Sequence, residues 1–328
     1  MFKKITRTSL IIFFLCLEFY LFPLFKPAAA QNFSLSITPP LLEIVSQPGK
    51  TINYSYKLTN QGVSSQIYST VFAFTPQGEE GGIEINPHQL TEEQFLNWFS
   101  FEDKDLDLGR PFFLKTGQTK QLVLKINIPQ NIQEKDYYAS LVFQVQPEER
   151  MIGASGSQIS GLVASNILLT VSSTSRPAKK GQILEFSFPK TTILGQEIGF
   201  YDSFQTIPFN LKVANKGSFF FKPLGSVKII NQTTKKEELL TILPQNILAK
   251  SQRKLFLKGS PQQPLQATSW YPKGKIGFFK AQASFLLSGS QEKLEAETTF
   301  FLFPWKLSLG LGGLLILFFL IKKNFLKS

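Results

Sequence analysis

Residues 51–59 read TINYSYKLT, with Ile52, Tyr54, Tyr56 and Leu58 at every second position. A period of two puts those four side chains on one face of an extended strand, a spacing that one face of an α-helix cannot reproduce. The pattern recurs. Residues 67–74, 120–128, 137–145, 209–213, 225–230, 254–257 and 278–286 are short apolar-rich stretches separated by clusters such as Gln47-Pro48-Gly49-Lys50 and Lys115-Thr116-Gly117-Gln118. Strands at this spacing, with Gly, Pro and Asn between them, read as all-β, in Ig-like β-sandwiches. Residues 33–37 and 41–45 flank Pro39-Pro40, a kinked entry strand suited to a sheet edge. One short helix interrupts the strands. Thr91-Glu92-Glu93-Gln94 has the capping-box form, Leu90 and Phe95 are placed as its staple, and Leu96, Trp98 and Phe99 follow. Trp98 is read as core closing one end of the sandwich, with a ligand-stacking aromatic as the alternative.

The strand set occurs twice. YKLTNQG at residues 56–62 is echoed by LKVANKG at 211–217. Phe113-Leu114 before the turn at 115–118 is matched by Ile247-Leu248 before Ala249-Lys250-Ser251-Gln252, each followed by a strand. Lys135-Asp136 leads into the strand at 137–145 much as Lys273-Gly274-Lys275 leads into 278–286. Landmarks in the same order predict two tandem Ig-like domains, at 31–172 and 183–299. The polar segment 173–182 is the linker, because it has almost nothing to bury.

The two ends bound the compartment. Lys3, Lys4 and Arg7 precede an apolar run at 10–24, and Ala28-Ala29-Ala30 stands before Gln31, which reads as a cleaved secretory signal peptide over 1–30. An uncleaved anchor is the alternative. Residues 300–321 are almost wholly apolar, about the 20 residues a transmembrane helix needs, and Lys322-Lys323 with Lys327 mark 322–328 as a cytoplasmic tail. Lys306 snorkels beside Trp305 in this reading. The expected product is a single-pass protein of the cell membrane with its large N-terminal region outside. The net charge of +12 hides an asymmetry. Residues 31–172 hold nine Lys/Arg against fourteen Asp/Glu, whereas 173–299 hold eighteen against eight. The acidic domain is membrane-distal, and the basic one is suited to anionic lipid heads or anionic wall polymers, or is simply a solvated lysine-rich surface. Nucleic acid is not expected as a partner outside the membrane.

Catalytic chemistry has little to work with. Cys16 is the only cysteine and falls in the signal, and His88 is the only histidine, so a zinc site of the usual His/Cys type is excluded. No Gly-rich phosphate loop or nucleophile elbow is present. Asp103, Asp105 and Asp107 alternate as calcium ligands do, but Gly109 and Leu114 fall where an EF-hand loop needs other positions, leaving a solvated acidic loop. The chain is therefore read as a non-enzyme without cofactor, metal or catalytic residues. Its binding residues are not assigned.

SITPPLLEI and YSYKLTNQG, then WFSFE, FFLKTGQTKQLVLKINIP, DYYASLVFQV and PFNLKVANKG, occur in that order between the two apolar ends. With this layout the chain resembles the WxL-interacting surface proteins of Gram-positive bacteria. The resemblance implies a first module that binds peptidoglycan and a second that binds host protein. The function expected is a membrane-anchored extracytoplasmic binding protein whose modules hold a cell-wall polymer or a surface protein. The alternative is a chaperone-like adaptor or assembly factor that accepts a strand of an exported protein at a sheet edge. Candidate edges are the Pro39-Pro40 strand and the stretch 151–161.

Overall fold

The computed structural model describes residues 34–85, 94–145, 161–193, 196–258 and 268–325. The signal segment, His88, the Thr91 cap, the stretch 151–160 and Lys327 lie outside the described residues. The described residues are mostly β-sheet, as the alternation requires, and end in an apolar C-terminal helix.

The N-terminal half contains β1 (Leu35–Thr38), β2 (Leu41–Ser46), β3 (Thr51–Asn60), β4 (Ser65–Gln77), β5 (Gly82–Ile85), β6 (Phe99–Phe101), β7 (Phe112–Leu114), β8 (Thr119–Asn127), β9 (Lys135–Val145) and β10 (Leu162–Val171). One sheet has the order β1-β3-β8-β6, the other β2-β10-β9-β4-β5, with β7 also on β4. Tyr56, Leu58, Leu122 and Leu124 from the first sheet meet Ile67, Leu141, Phe143 and Ile167 from the second in one core, all fully enclosed. Each such apolar side chain contributes roughly 1.5–3 kcal/mol by leaving water. Gln94–Trp98 forms a 3-10 helix that sets Phe95 and Trp98 against Tyr137, at ring centroid distances of 5.3 and 4.9 Å. Trp98 is a core residue at one end of this packing.

The C-terminal half contains β11 (Gly181–Ser187), β12 (Thr191–Ile193), β13 (Gln196–Ile198), β14 (Phe200–Asp202), β15 (Ile207–Pro208), β16 (Asn210–Asn215), β17 (Pro223–Asn231), β18 (Glu237–Thr241), β19 (Gln252–Lys254), β20 (Ser269–Trp270), β21 (Gly277–Leu287) and β22 (Lys293–Phe303). The sheets β11-β16-β19 and β14-β22-β21-β17-β18 enclose a second core that includes Val213, Phe221, Phe279 and Phe285. Gly225 pairs with Phe285 across β17 and β21, where a Cβ would sit 2.2 Å from the Ser284 carbonyl oxygen. Only glycine lets those backbones approach so closely.

The repeated Asn-x-Gly has a physical cause. Asn60 is buried at the end of β3; its Nδ2 donates to the carbonyls of Val63 and Leu114 at 2.7 and 3.0 Å, and its Oδ1 accepts the Gly62 N–H. Asn215 does the same at the end of β16, donating to Phe219 and Ile247 at 2.9 and 3.0 Å and accepting from the Gly217 N–H. One side chain thus ties a strand end, its turn and a neighbouring segment in each half. The two acceptors, Leu114 and Ile247, lie in the segments that the sequence matches, 113–114 and 247–248, one position apart in that alignment.

The C-terminal boundary differs from the expected helix over 300–321. Phe300 to Phe303 are the last residues of β22, with Phe300 and Leu302 buried in the second core, and α1 begins after Pro304 and spans Trp305–Phe325. An apolar run that serves first as a strand and then as a helix carries no internal break in hydropathy, so composition misplaces the junction. Residues Trp305–Lys323 have mean hydropathy 1.7 and none of the stretch is buried within the fold. At about 1.5 Å per residue the stretch is long enough to cross a bilayer core of ~30 Å.

Candidate functional site

β1 and β2 are consecutive but lie in different sheets. Thr38 pairs with Lys57 of β3, whereas Leu41 pairs in parallel with Asn166 of β10. Pro39-Pro40 makes the crossing, placing the entry strand at an edge of both sheets, as its sequence suggests. The consequence falls on β10. Its residues Leu162 to Val171 all pair with β9, but β2 covers only Asn166 to Val171. Among the described residues, Leu162, Val163, Ala164 and Ser165 have a strand neighbour on one side only.

The ladder fixes which groups face the open side. Asn166 N–H donates to the Pro40 carbonyl at 3.0 Å, and Ser172 N–H to Ser46 at 2.9 Å, so even-numbered residues of this strand turn their peptide groups towards β2. Leu162 and Ala164 therefore present N–H and C=O to the open edge. Continuing the ladder would require a donor from Pro40, which has no N–H. The edge stops there for a covalent reason.

The face beside the edge mixes apolar and polar side chains, with the apolar ones next to β10's open side. Leu162 and Ala164 share the outer face with Val142 and Gln144 of β9, their register partners, and with Thr70 and Tyr68 of β4. Leu162 is 62% exposed, and Leu41 and Tyr68 are also exposed. The same face runs down into a cleft of about 200 Å³ between the two halves, lined by Leu41, Phe74, Asn166, Leu168, Leu248 and Arg253, among others. Arg253 Nη1 donates to the Asn246 carbonyl at 2.7 Å, and its guanidinium lies against Gly81.

A polar junction below the cleft holds the halves together. Asp136 is buried and accepts the Thr170 hydroxyl at 2.6 Å, the Tyr138 hydroxyl at 2.8 Å and the Phe220 backbone N–H from the other half. The Tyr138 hydroxyl in turn accepts the Ala249 N–H at 2.8 Å. Burial pushes the Asp136 carboxyl above its ordinary value against the pull of these donors and of Lys179. Burial, with the Asp136 charge beside it, also raises the Tyr138 phenol. Around this point Phe74 and Leu168 pack on Phe220 and Leu248. Further out, Glu43 meets Lys222 at 2.8 Å and Asn246 at 2.6 Å, and Glu79 on the β4–β5 hairpin meets Lys212 at 2.8 Å. The acidic half and the basic half use part of their opposite charge on each other.

Glu43 gives a pH test of the junction. Burial alone would raise its carboxyl, but the Asn246 and Lys222 hydrogen bonds and the charges of Lys222 and Lys179 hold it below 4.5. A depressed carboxylate contributes stability above its unfolded value and loses it as pH falls through the folded one. The Glu43→Gln variant should be less stable than the parent by about 0.5–1 kcal/mol at pH 7, as expected for a partly exposed pair. Thermal melts should show that gap closing as pH falls below 4.5.

The acidic loop at 103–110 is tied mainly to itself. In the acidic loop, Asp103 Oδ1 accepts the Asp105 N–H at 3.0 Å and Asp107 pairs with Arg110 at 3.1 Å. Among the described residues no group of three or more His, Cys, Asp or Glu side chains converges as metal ligands.

No protein-family model matches the chain, and no curated protein does. Similar solved structures include the class 5 fimbriae chaperone CfaA, at 10% identity and TM-score 0.35, over 72% of this chain and 98% of that one. The E. coli chaperone DraB has 13% identity and TM-score 0.35, over 81% and 98%. A chain of the Salmonella enterica SafA pilin complex with the SafB chaperone has 11% identity and TM-score 0.37, over 82% and 98%.

Proposed function

We propose that this is a membrane-anchored binding protein that holds an extended segment of another exported protein along the open half of β10, as a chaperone-like adaptor or assembly factor. The observation that carries this reading is the backbone edge at Leu162 and Ala164, closed to β2 by Pro40 and bordered by exposed Leu162, Leu41 and Tyr68. Strand addition at such an edge takes its affinity from main-chain hydrogen bonds and its selectivity from alternate side chains on the neighbouring face. An incoming strand would place one set of side chains over Leu162 and Ala164, and the other over the partly buried Val163 at the core margin. The role is one of binding without catalysis. In this reading α1 is the anchor and the β-structure lies outside the cell, a topology supported by Lys322 and Lys323 at the helix end.

A photo-reactive residue at position 162, compared with one at the exposed Leu239 of β18, tests the assignment in the native host. One discrete protein adduct from position 162 and none from 239 is expected. Adducts with wall polymer from both positions would favour the wall-binding role that the family resemblance implies. No adduct from 162 would remove the edge as a site.

A further inference from the structure

The helix α1 is not merely tethered to the C-terminal half. Asp202, buried at the end of β14, accepts the Lys306 N–H at 3.0 Å through Oδ2 and the Phe204 N–H at 2.9 Å through Oδ1. Lys306 Nζ donates to Gln205 Oε1 at 3.1 Å, and Ser203 N–H to the Phe303 carbonyl at 3.3 Å. One carboxylate therefore joins the first turn of the helix to the loop at 203–205. That loop is joined to a second, since Gly274 N–H donates to the Ser203 carbonyl at 2.8 Å and the Phe204 ring lies against Gly274. The tip of the second loop is a tight turn with Lys273 and Gly274 both at positive φ.

These two loops surround the start of α1 and display what a headgroup layer accepts. Phe204 is 52% exposed, and Tyr271, Ile276 and Trp305 are also exposed large apolar residues. Lys273 is exposed beside them, and Lys306 stands at the helix start. Aromatic rings and lysine ammonium groups together suit the bilayer interface, the rings in the headgroup layer and the lysines on anionic phosphates. Each of these apolar groups lies out in water if the half stands clear of the membrane.

We infer that the loops bearing Phe204 and Tyr271 to Ile276 insert into the headgroup layer of an anionic bilayer around α1, seating the C-terminal half on the membrane. This rests on the reading of α1 as a membrane span. The hydrogen bonds that Asp202 accepts make the seat rigid, so the chain leaves the bilayer in one orientation and the open edge of β10 is held at a fixed place relative to it.

The full chain, with Cys16 replaced by Ser, can carry a single nitroxide on Phe204→Cys, Tyr271→Cys, Leu314→Cys or Leu239→Cys. Reconstitution is into nanodiscs of phosphatidylglycerol and phosphatidylcholine in equal parts. Collision with oxygen and with an aqueous nickel chelate then reports depth. Labels at 204 and 271 should show nickel accessibility several-fold below that at 239, at interfacial depth, with 314 in the hydrocarbon. Labels at 204 and 271 as nickel-accessible as 239, with 314 deep, would overturn the seat while leaving the span intact. A nickel-accessible label at 314 would overturn both.

Discussion

Asp136→Ala should lower stability by about 3 kcal/mol, because three buried donors lose their acceptor at once and each unsatisfied group costs roughly 1–3 kcal/mol. The cost of keeping a carboxylate out of water, visible in its raised value, is recovered in the variant and keeps the sum below the simple total. The loss reaches beyond stability. Phe220 N–H belongs to the C-terminal half, so the variant should also loosen the junction and expose the segment 173–180 to protease. Asp136→Asn keeps an acceptor oxygen and should lose about half as much. Denaturant titration checks both; a change under about 0.5 kcal/mol for the alanine variant would show that the junction is held without Asp136, by the packing of Phe74, Leu168, Phe220 and Leu248 and the Glu43 and Glu79 pairs.

Ala164→Pro should weaken capture of a partner strand about tenfold or more while sparing the fold. The Ala164 N–H faces the open edge and takes no part in the β9 ladder, so the ring costs the sheet about 1 kcal/mol or less. An incoming strand loses one main-chain hydrogen bond and meets the ring where its backbone must lie. Affinity should fall about tenfold or more. Crosslinking from position 162 in the Ala164→Pro background reads this directly, beside a thermal melt of the purified variant. Undiminished crosslinking with an unchanged melt would mean that partners bind the side-chain face without adding a strand.

Much of the architecture is legible in the residues. Alternation at 51–59 gives β3 with Tyr56 and Leu58 inward, and the echo of YKLTNQG in LKVANKG reflects two asparagines making the same hydrogen bonds. The site is only half legible. Pro39-Pro40 signals an edge, but that its crossing uncovers Leu162 to Ser165 depends on pairing between strands more than 120 residues apart. Asp136, Glu43 and Glu79 carry no sequence signal of a junction, because their partners Phe220, Lys222 and Lys212 lie 84, 179 and 133 residues away. At Phe300 the run FFLF suits a core strand and a membrane helix equally; the packing of Phe300 and Leu302 against the second core decides for the strand.

Amide hydrogen exchange, read residue by residue along β10, tests the open edge most directly. In the free protein the amides of Leu162 and Ala164 should exchange rapidly while that of Ser165, turned towards β9, is protected. In the complex captured through position 162, both open amides should become slow. Protection of Leu162 and Ala164 already present in the free chain, or rapid exchange unchanged in the complex, would contradict strand addition at β10.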